Sequence, residues 1–170
     1  MNPITHPDTS IVADADLPMI RLTREFDATP DKVFRAHTDP DLYARWVGPH
    51  DLVTTIDRWD CRTGGNWAFS QRRDGEEYHF YGCFHEVRPG ELIVQTFTFA
   101  GFPDGVSLER LTLEDLGDGR TRLVATSLVD SFEGRDAMIA SGMEGGVRDG
   151  YEKLDELLVS ADVWRPGLTA

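Results

Sequence analysis

Four turn signals at close intervals constrain this chain more than any other feature. Gly64-Gly65, Asp74-Gly75, Arg88-Pro89-Gly90 and Gly117-Asp118-Gly119 each join residues that reach positive φ or fix a tight bend. Around and between them run segments that alternate apolar and polar residues: "LVTTIDRWDCR", "NWAFSQRR", "EYHFYGCFHEV", "ELIVQTFTFA", "VSLERLTLEDL" and "RTRLVATSLV". Alternation at period two marks strands with one buried face, and connections this short join antiparallel neighbours. A further segment, "MIRLTREFDA", alternates through Ile20, Leu22, Arg24 and Phe26 nearer the N-terminus. The expectation is an antiparallel meander of seven strands.

Helical signals fall in two places. After the first strand, "TPDKVFRAHTD" offers Thr29 as N-cap with Pro30 at the first helical position. "DPDLYARWVGP" then opens on Asp39-Pro40, puts Leu42, Trp46 and Val47 on one side and is stopped by Gly48-Pro49. Near the C-terminus, "SGMEGGVRDGYEKLDELL" repeats Met143, Val147, Tyr151, Leu154 and Leu158 at spacings of three and four, predicting one long helix over residues 133–160. A sheet with one apolar face must be covered by the only long helix on offer, which predicts an α+β fold: a seven-stranded antiparallel curved sheet around a C-terminal helix, with two short helices after the first strand. Residues 1–18 are polar and proline-bearing, so they form a tail that lies on the domain or is disordered; 19–160 form the domain and 161–170 a second tail.

The long helix carries glycine at 142, 145, 146 and 150. Each interior glycine costs roughly 1 kcal/mol against alanine. Glycines 142, 146 and 150 recur every four residues and make a smooth strip, which serves either close packing of the backbone or the approach of a ligand in a cavity.

Charge excludes several classes of partner. Lys plus Arg number 17 against 30 for Asp plus Glu, a net charge of −13 without a basic cluster, which disfavours nucleic acid and anionic membrane. No run approaches the ~18 apolar residues of a membrane span, and no leader-like segment opens the chain, so the expected location is cytoplasmic, as a monomer or homodimer. Cys61 and Cys83 fit free buried thiols better than a disulfide and lack redox or zinc spacing.

Strand alternation names the inward side chains. Ile93, Gln95, Phe97 and Phe99 share one face, as do Trp67 and Phe69, and as do Tyr78, Phe80, Gly82 and Phe84. Leu111 and Leu113, with Leu123 and Ala125, complete the sheet. The same period puts Glu109 on the face of Leu111 and Leu113, unless a bulge or strand end lets it reach solvent or a cation. An inward carboxyl has a raised pKa and can act as acid, base or hydrogen-bond anchor, which makes Glu109 the candidate catalytic residue. Gln95, mid-strand among aromatics, needs a partner in the core or on a ligand.

His79, Tyr81, Cys83 and His85 share the outward face, and Cys83 with His85 gives only a weak metal signal. His37 and His50 form no readable triad with a serine or cysteine, and the paired glycines lie between strands, where they serve as turns and not as phosphate cradles. The sequence calls for neither a metal nor a cofactor.

The string "EFDATPDKVFRAHTDPDLYARWVGP", followed by "DRWDCRTGGNWAF", "GCFHEVRPGELIVQTFTF", "LTLEDLGDGRTRLVATS" and "GMEGGVRDGYEKLDELL", resembles the START-related SRPBCC superfamily over residues 19–160. Within it the likeness is to the branch named for activators of the heat-shock-protein-90 ATPase. The resemblance implies a helix-grip fold with a mostly apolar cavity between sheet and C-terminal helix, which binds a small hydrophobic molecule. Trp46, Trp67, Phe69, Tyr78, Phe80, Gln95, Phe97, Glu109, Met143, Val147 and Tyr151 are the expected lining. It also implies two alternatives: an enzyme of the cyclase or dehydratase type in the same cavity, and an interaction module for a chaperone ATPase. The chain departs from the branch at Trp46-Val47, where two tryptophans are common, and at Gly150-Tyr151, where Gly-Trp is common; both changes alter the pocket's shape.

Overall fold

Short polar turns of the kind seen in the sequence force each strand back along its predecessor, and the backbone follows that rule throughout. In a computed structural model that describes residues 9–161, 163 and 164, the elements are β1 (Ser10–Ala13), β2 (Met19–Phe26), α1 (Pro30–Thr38), α2 (Pro40–Trp46), β3 (Val53–Trp59), β4 (Asn66–Arg73), β5 (Glu76–Arg88), β6 (Leu92–Phe99), β7 (Val106–Gly117), β8 (Arg120–Leu128), α3 (Phe132–Ala140) and α4 (Met143–Val159). One sheet holds all eight strands in the order β1-β2-β8-β7-β6-β5-β4-β3, and every pair is antiparallel. Asp74 and Gly75, and Asp118 between Gly117 and Gly119, take the positive φ that their hairpin turns require.

The sheet has one strand more than the seven expected. β1 lies within the segment assigned to a polar tail and pairs with β2 from Ser10↔Thr23 to Ala13↔Ile20. Four residues with a single inward apolar group, Ile11, carry too short an alternation to register as a strand, yet main-chain pairing at a sheet edge needs little more. Residues 1–8 lie outside the described residues. Of the C-terminal tail, Trp164 folds back: its indole donates to Leu157 O at 3.0 Å, and Lys32 and Arg35 of α1 lie over its ring.

The expected single C-terminal helix is two. Gly142, at φ 84°, breaks the helical path between α3 and α4. Left-handed backbone is where glycine is favoured over every L residue, so here the glycine ends one helix and starts another. The other glycines decide the packing question. A Cβ on Gly150 would meet Trp46 O at 3.1 Å and Gly48 N at 3.3 Å, and one on Gly146 would meet the Pro49 ring at 3.3 Å. Gly145 faces open space. The strip therefore lets α4 lie close against the turn between α2 and β3, and the expectation of ligand approach is not what these contacts show.

Helix α4 packs chiefly against α1, α2 and α3 and reaches the sheet through side chains. Tyr151 meets Phe26 of β2 edge-on at 5.4 Å and stacks on Trp46 of α2 at 5.9 Å, while Arg24 of β2, buried on the concave face, pairs with Asp155 and donates to Thr9 at 3.1 Å. His37, buried in α1, lies 2.7 Å from Val33 O, and burial pushes it down to about 4, so it is a neutral core histidine. Among the described residues no helix is long and apolar enough to cross a membrane.

These contacts set opposite signs for two glycine substitutions. Gly145→Ala should stabilise by about 0.5 kcal/mol through helix propensity. Gly150→Val should destabilise by about 2 kcal/mol, because its branches crowd main-chain atoms that cannot give way. Chemical denaturation of both variants checks this; equal effects would mean that the strip has no packing role.

Candidate functional site

Register lays out the concave face row by row. Across five adjacent strands one row reads Phe84, Gln95, Glu109, Ser127 and Ile20. The row beside it reads Val87, Ile93, Leu111, Ala125 and Leu22. On the other side Trp67 faces Gly82 and Phe97 faces Ser107. A Cβ on Gly82 would strike Thr96 O at 1.9 Å and the Trp67 ring at 2.8 Å, so glycine there is required by close approach.

The apolar side chains collect into two clusters. One joins β2, β8, α1, α2 and α4 around Phe26, Leu123 and Leu154; the other joins β4, β5 and β6 with α1 around Trp67, Phe69 and Phe84. Leu111 and Leu113 lie against both and, like Phe80, Phe97 and Ala125, remain partly accessible. The middle of the concave face is therefore less closed than its flanks.

Polar groups meet in this less closed middle. Gln95 Nε2 donates to Glu109 Oε2 at 2.9 Å, and Ser127 Oγ donates to Oε1 at 3.4 Å. Burial pushes the Glu109 carboxyl above the ordinary 4.5, with hydrogen bonding from Gln95, Ser127 and Ser107 opposing it. Glu109 thus points inward, and the alternative of a bulge into solvent is not realised. Tyr43 on α2 and Tyr151 on α4 are held above the usual tyrosine range by burial first and by the charge of Glu109 second, which puts both phenols within its electrostatic reach. Among the described residues neither phenol makes a hydrogen bond, and Tyr151 is only 7% exposed.

The other expected lining residues divide by position. Phe80, Phe97 and Gln95 face this middle, and Val147 packs on the first cluster at its edge. Trp46 is closed off, its indole donating to Ala36 O at 2.8 Å; Trp67 and Phe69 are each 2% exposed. Tyr78 lies at the rim, its phenol donating to Glu76 at 2.8 Å, and Met143 is partly exposed at the start of α4, in neither cluster. Tyr43 and Ser127 were missed. Tyr43 stands three before Trp46, one helical turn away, and Ser127 continues the alternation of Leu123 and Ala125, so both signals were present.

Other clusters lie elsewhere. His79, Tyr81, Cys83 and His85 are exposed on the convex face, which corrects the expectation that Cys83 is buried. Cys61 is half-buried, its thiol pushed up to about 11 by burial and then by Asp60. His50, in the turn after α2, meets Asp149 and Glu152 of α4, with Nε2 at 3.2 Å from Glu152 Oε2 and its backbone N–H donating to Asp149 at 3.2 Å. This exposed group joins residues a hundred positions apart and was invisible in sequence. An open depression lined by Asp51, Val53, Thr55, Arg72, Arg73, Asp74 and Gly75 lies where β3 begins beside the β4–β5 turn.

An eight-stranded sheet gripping a C-terminal helix and closed at one end by two short helices agrees with what the family comparison returns. The family described as Activator of Hsp90 ATPase homolog 1-like protein matches residues 27–159. The chain belongs to this family. Solved structures of similar shape include a protein from Arthrobacter aurescens, at 27% identity over 95% of this chain and 98% of that one, with a TM-score of 0.82. A Mycobacterium smegmatis protein follows at 25% identity, 91% and 98% coverage and a TM-score of 0.81. One from Chromobacterium violaceum has 28% identity, 84% and 98% coverage and a TM-score of 0.71. No curated protein matches. Membership of the activator-homolog family thus secures the helix-grip fold, while the chemistry of the concave face rests on this chain's own residues.

Glu109 gives this geometry a pH signature. With its folded pKa raised above the unfolded value, the unfolded chain loses the proton first, so stability falls as pH rises from about 4.5 through the folded value. Glu109→Gln should remove that fall and melt at a higher temperature than wild type near pH 7, with the two curves converging below pH 4. Thermal melts across pH check it, and superimposable curves would place Glu109 in solvent.

Proposed function

We infer that this domain binds a small apolar molecule in the groove between the concave sheet face and α4. One observation carries the reading: Phe80, Phe97, Leu111 and Ala125 stay partly accessible in the centre of a face whose flanks are closed by two apolar clusters. Apolar side chains on a concave surface that are neither packed solid nor on the outside are what a small-molecule site offers, and a few converging polar groups set the orientation of its occupant. Glu109, Gln95, Tyr43 and Tyr151 are those groups. The inward placement of Glu109 also favours a second reading, in which its carboxyl serves as acid or base on the bound molecule.

A neutral, environment-sensitive apolar dye tests binding. Fluorescence should rise on mixing with the wild-type protein and saturate at one equivalent. Ala125→Phe, which puts a ring into the groove from β8, should weaken dye binding by about tenfold or more while the protein still melts cooperatively. If wild type and Ala125→Phe take up the dye equally, the dye is elsewhere and the reading fails. Native mass spectrometry of freshly purified protein should find a co-purifying small molecule that Ala125→Phe lacks.

A further inference from the structure

The groove holds a carboxyl without a counter-charge. Among the described residues no Lys, Arg or His makes an ion pair with Glu109, and its environment contains hydrogen-bond donors but no cation. Arg24, a buried cation on the concave face, pairs with Asp155 and donates to Thr9. A carboxylate in apolar surroundings is costly without a positive charge, and the neutral donors of Gln95 and the serines offset that cost only in part, since the carboxyl stays above its ordinary value.

The neighbours fit a cation. Phe97, paired with Ser107 two residues before Glu109, lies diagonally across from the carboxyl, the Phe80 ring lies 5.5 Å beyond it on the same face, and the charge of Glu109 reaches the phenols of Tyr43 and Tyr151. Aromatic faces beside a carboxylate attract an ammonium through the ring quadrupole, most strongly where water is scarce. Both phenol oxygens have free lone pairs that accept from N–H donors. The net charge of −13 adds a field that concentrates cations and repels anions. An anionic or purely hydrocarbon occupant would leave the carboxylate as costly as before.

Resting on the reading that the groove is a small-molecule site, we propose that its occupant is a protonated lipophilic amine, with the ammonium on Glu109 and the apolar body on the rings of Phe80 and Phe97. Binding then restores the charge on Glu109 and releases a proton wherever the free protein holds Glu109 protonated. The groups facing Glu109 are Gln95 of β6, Ser107 of β7, Ser127 of β8, Tyr43 of α2 and Tyr151 of α4; neither phenol ionises near neutral pH, so the released proton belongs to Glu109.

A matched series tests the charge and the groove separately. 3-Phenylpropylamine, 3-phenylpropan-1-ol and 3-phenylpropanoate share one apolar body and differ only in the end group. Displacement of the neutral dye from the wild-type protein at pH 7 should rank amine over alcohol by about tenfold and alcohol over carboxylate. In Glu109→Gln the preference for amine over alcohol should vanish, because the carboxylate charge is gone while the aromatic walls are intact. Calorimetry of the amine in two buffers of different ionisation enthalpy should show proton release in wild type and none in Glu109→Gln. Equal affinity for amine and alcohol, or a preference for the carboxylate, overturns the cation proposal and leaves the groove reading standing. Failure of the dye and all three probes to bind wild type overturns both.

Discussion

The close approach of α4 to the turn after α2 fixes everything that follows. Gly146 and Gly150 let the helix backbone sit against Pro49, Gly48 and the Trp46 carbonyl, and from there Tyr151 and Leu154 reach the first apolar cluster while Asp155 pairs with Arg24. The helix is thus held along one side by α1 and α2 and meets the sheet by its side chains. A helix supported in this way need not fill the concave face, and the less closed middle over Phe97, Glu109 and Ala125 is the result. Glycine costs helix stability in isolation; here the loss is offset by packing that only a residue without Cβ allows.

The second constraint is electrostatic. Glu109 sits in a row whose other members are Gln95, Ser127 and two apolar residues, so its charge is stabilised only in part. Cores of this size normally place an uncharged residue at such a position or provide a partner of opposite charge, as Asp155 of α4 does for Arg24 on the concave face. A buried carboxyl without a counter-charge, within electrostatic reach of two phenols that make no hydrogen bond among the described residues, is the feature on which the amine proposal rests.

The meander was legible because turn chemistry and period-two alternation agree at every hairpin from β3 to β8, and the inward rows followed without error at Trp67, Phe84, Ile93 and Glu109. β1 was not, since four residues at a sheet edge are held by main-chain bonds that leave no side-chain pattern. The division of the last helix was hidden because the apolar rhythm resumes beyond Gly142, and periodicity registers faces but not a single left-handed residue. In the site, alternation could say which way Glu109 points; it could not say that Tyr43 from a different element would lie within reach of its charge, or that the Trp46 indole would be taken by Ala36 O and the Tyr78 phenol by Glu76. Those outcomes depend on the angle at which helices cross the sheet, which no local pattern encodes.

The central claim is that an uncompensated carboxyl faces an apolar groove, and carbon-detected NMR of the Glu109 carboxyl measures it directly. Across a pH titration assigned by comparison with Glu109→Gln, the account predicts a midpoint above the ordinary 4.5 and a fall in that midpoint when a lipophilic amine is present. A midpoint at or below the ordinary value in the free protein, unmoved by the amine, would show a solvated or already compensated carboxylate and would contradict the account.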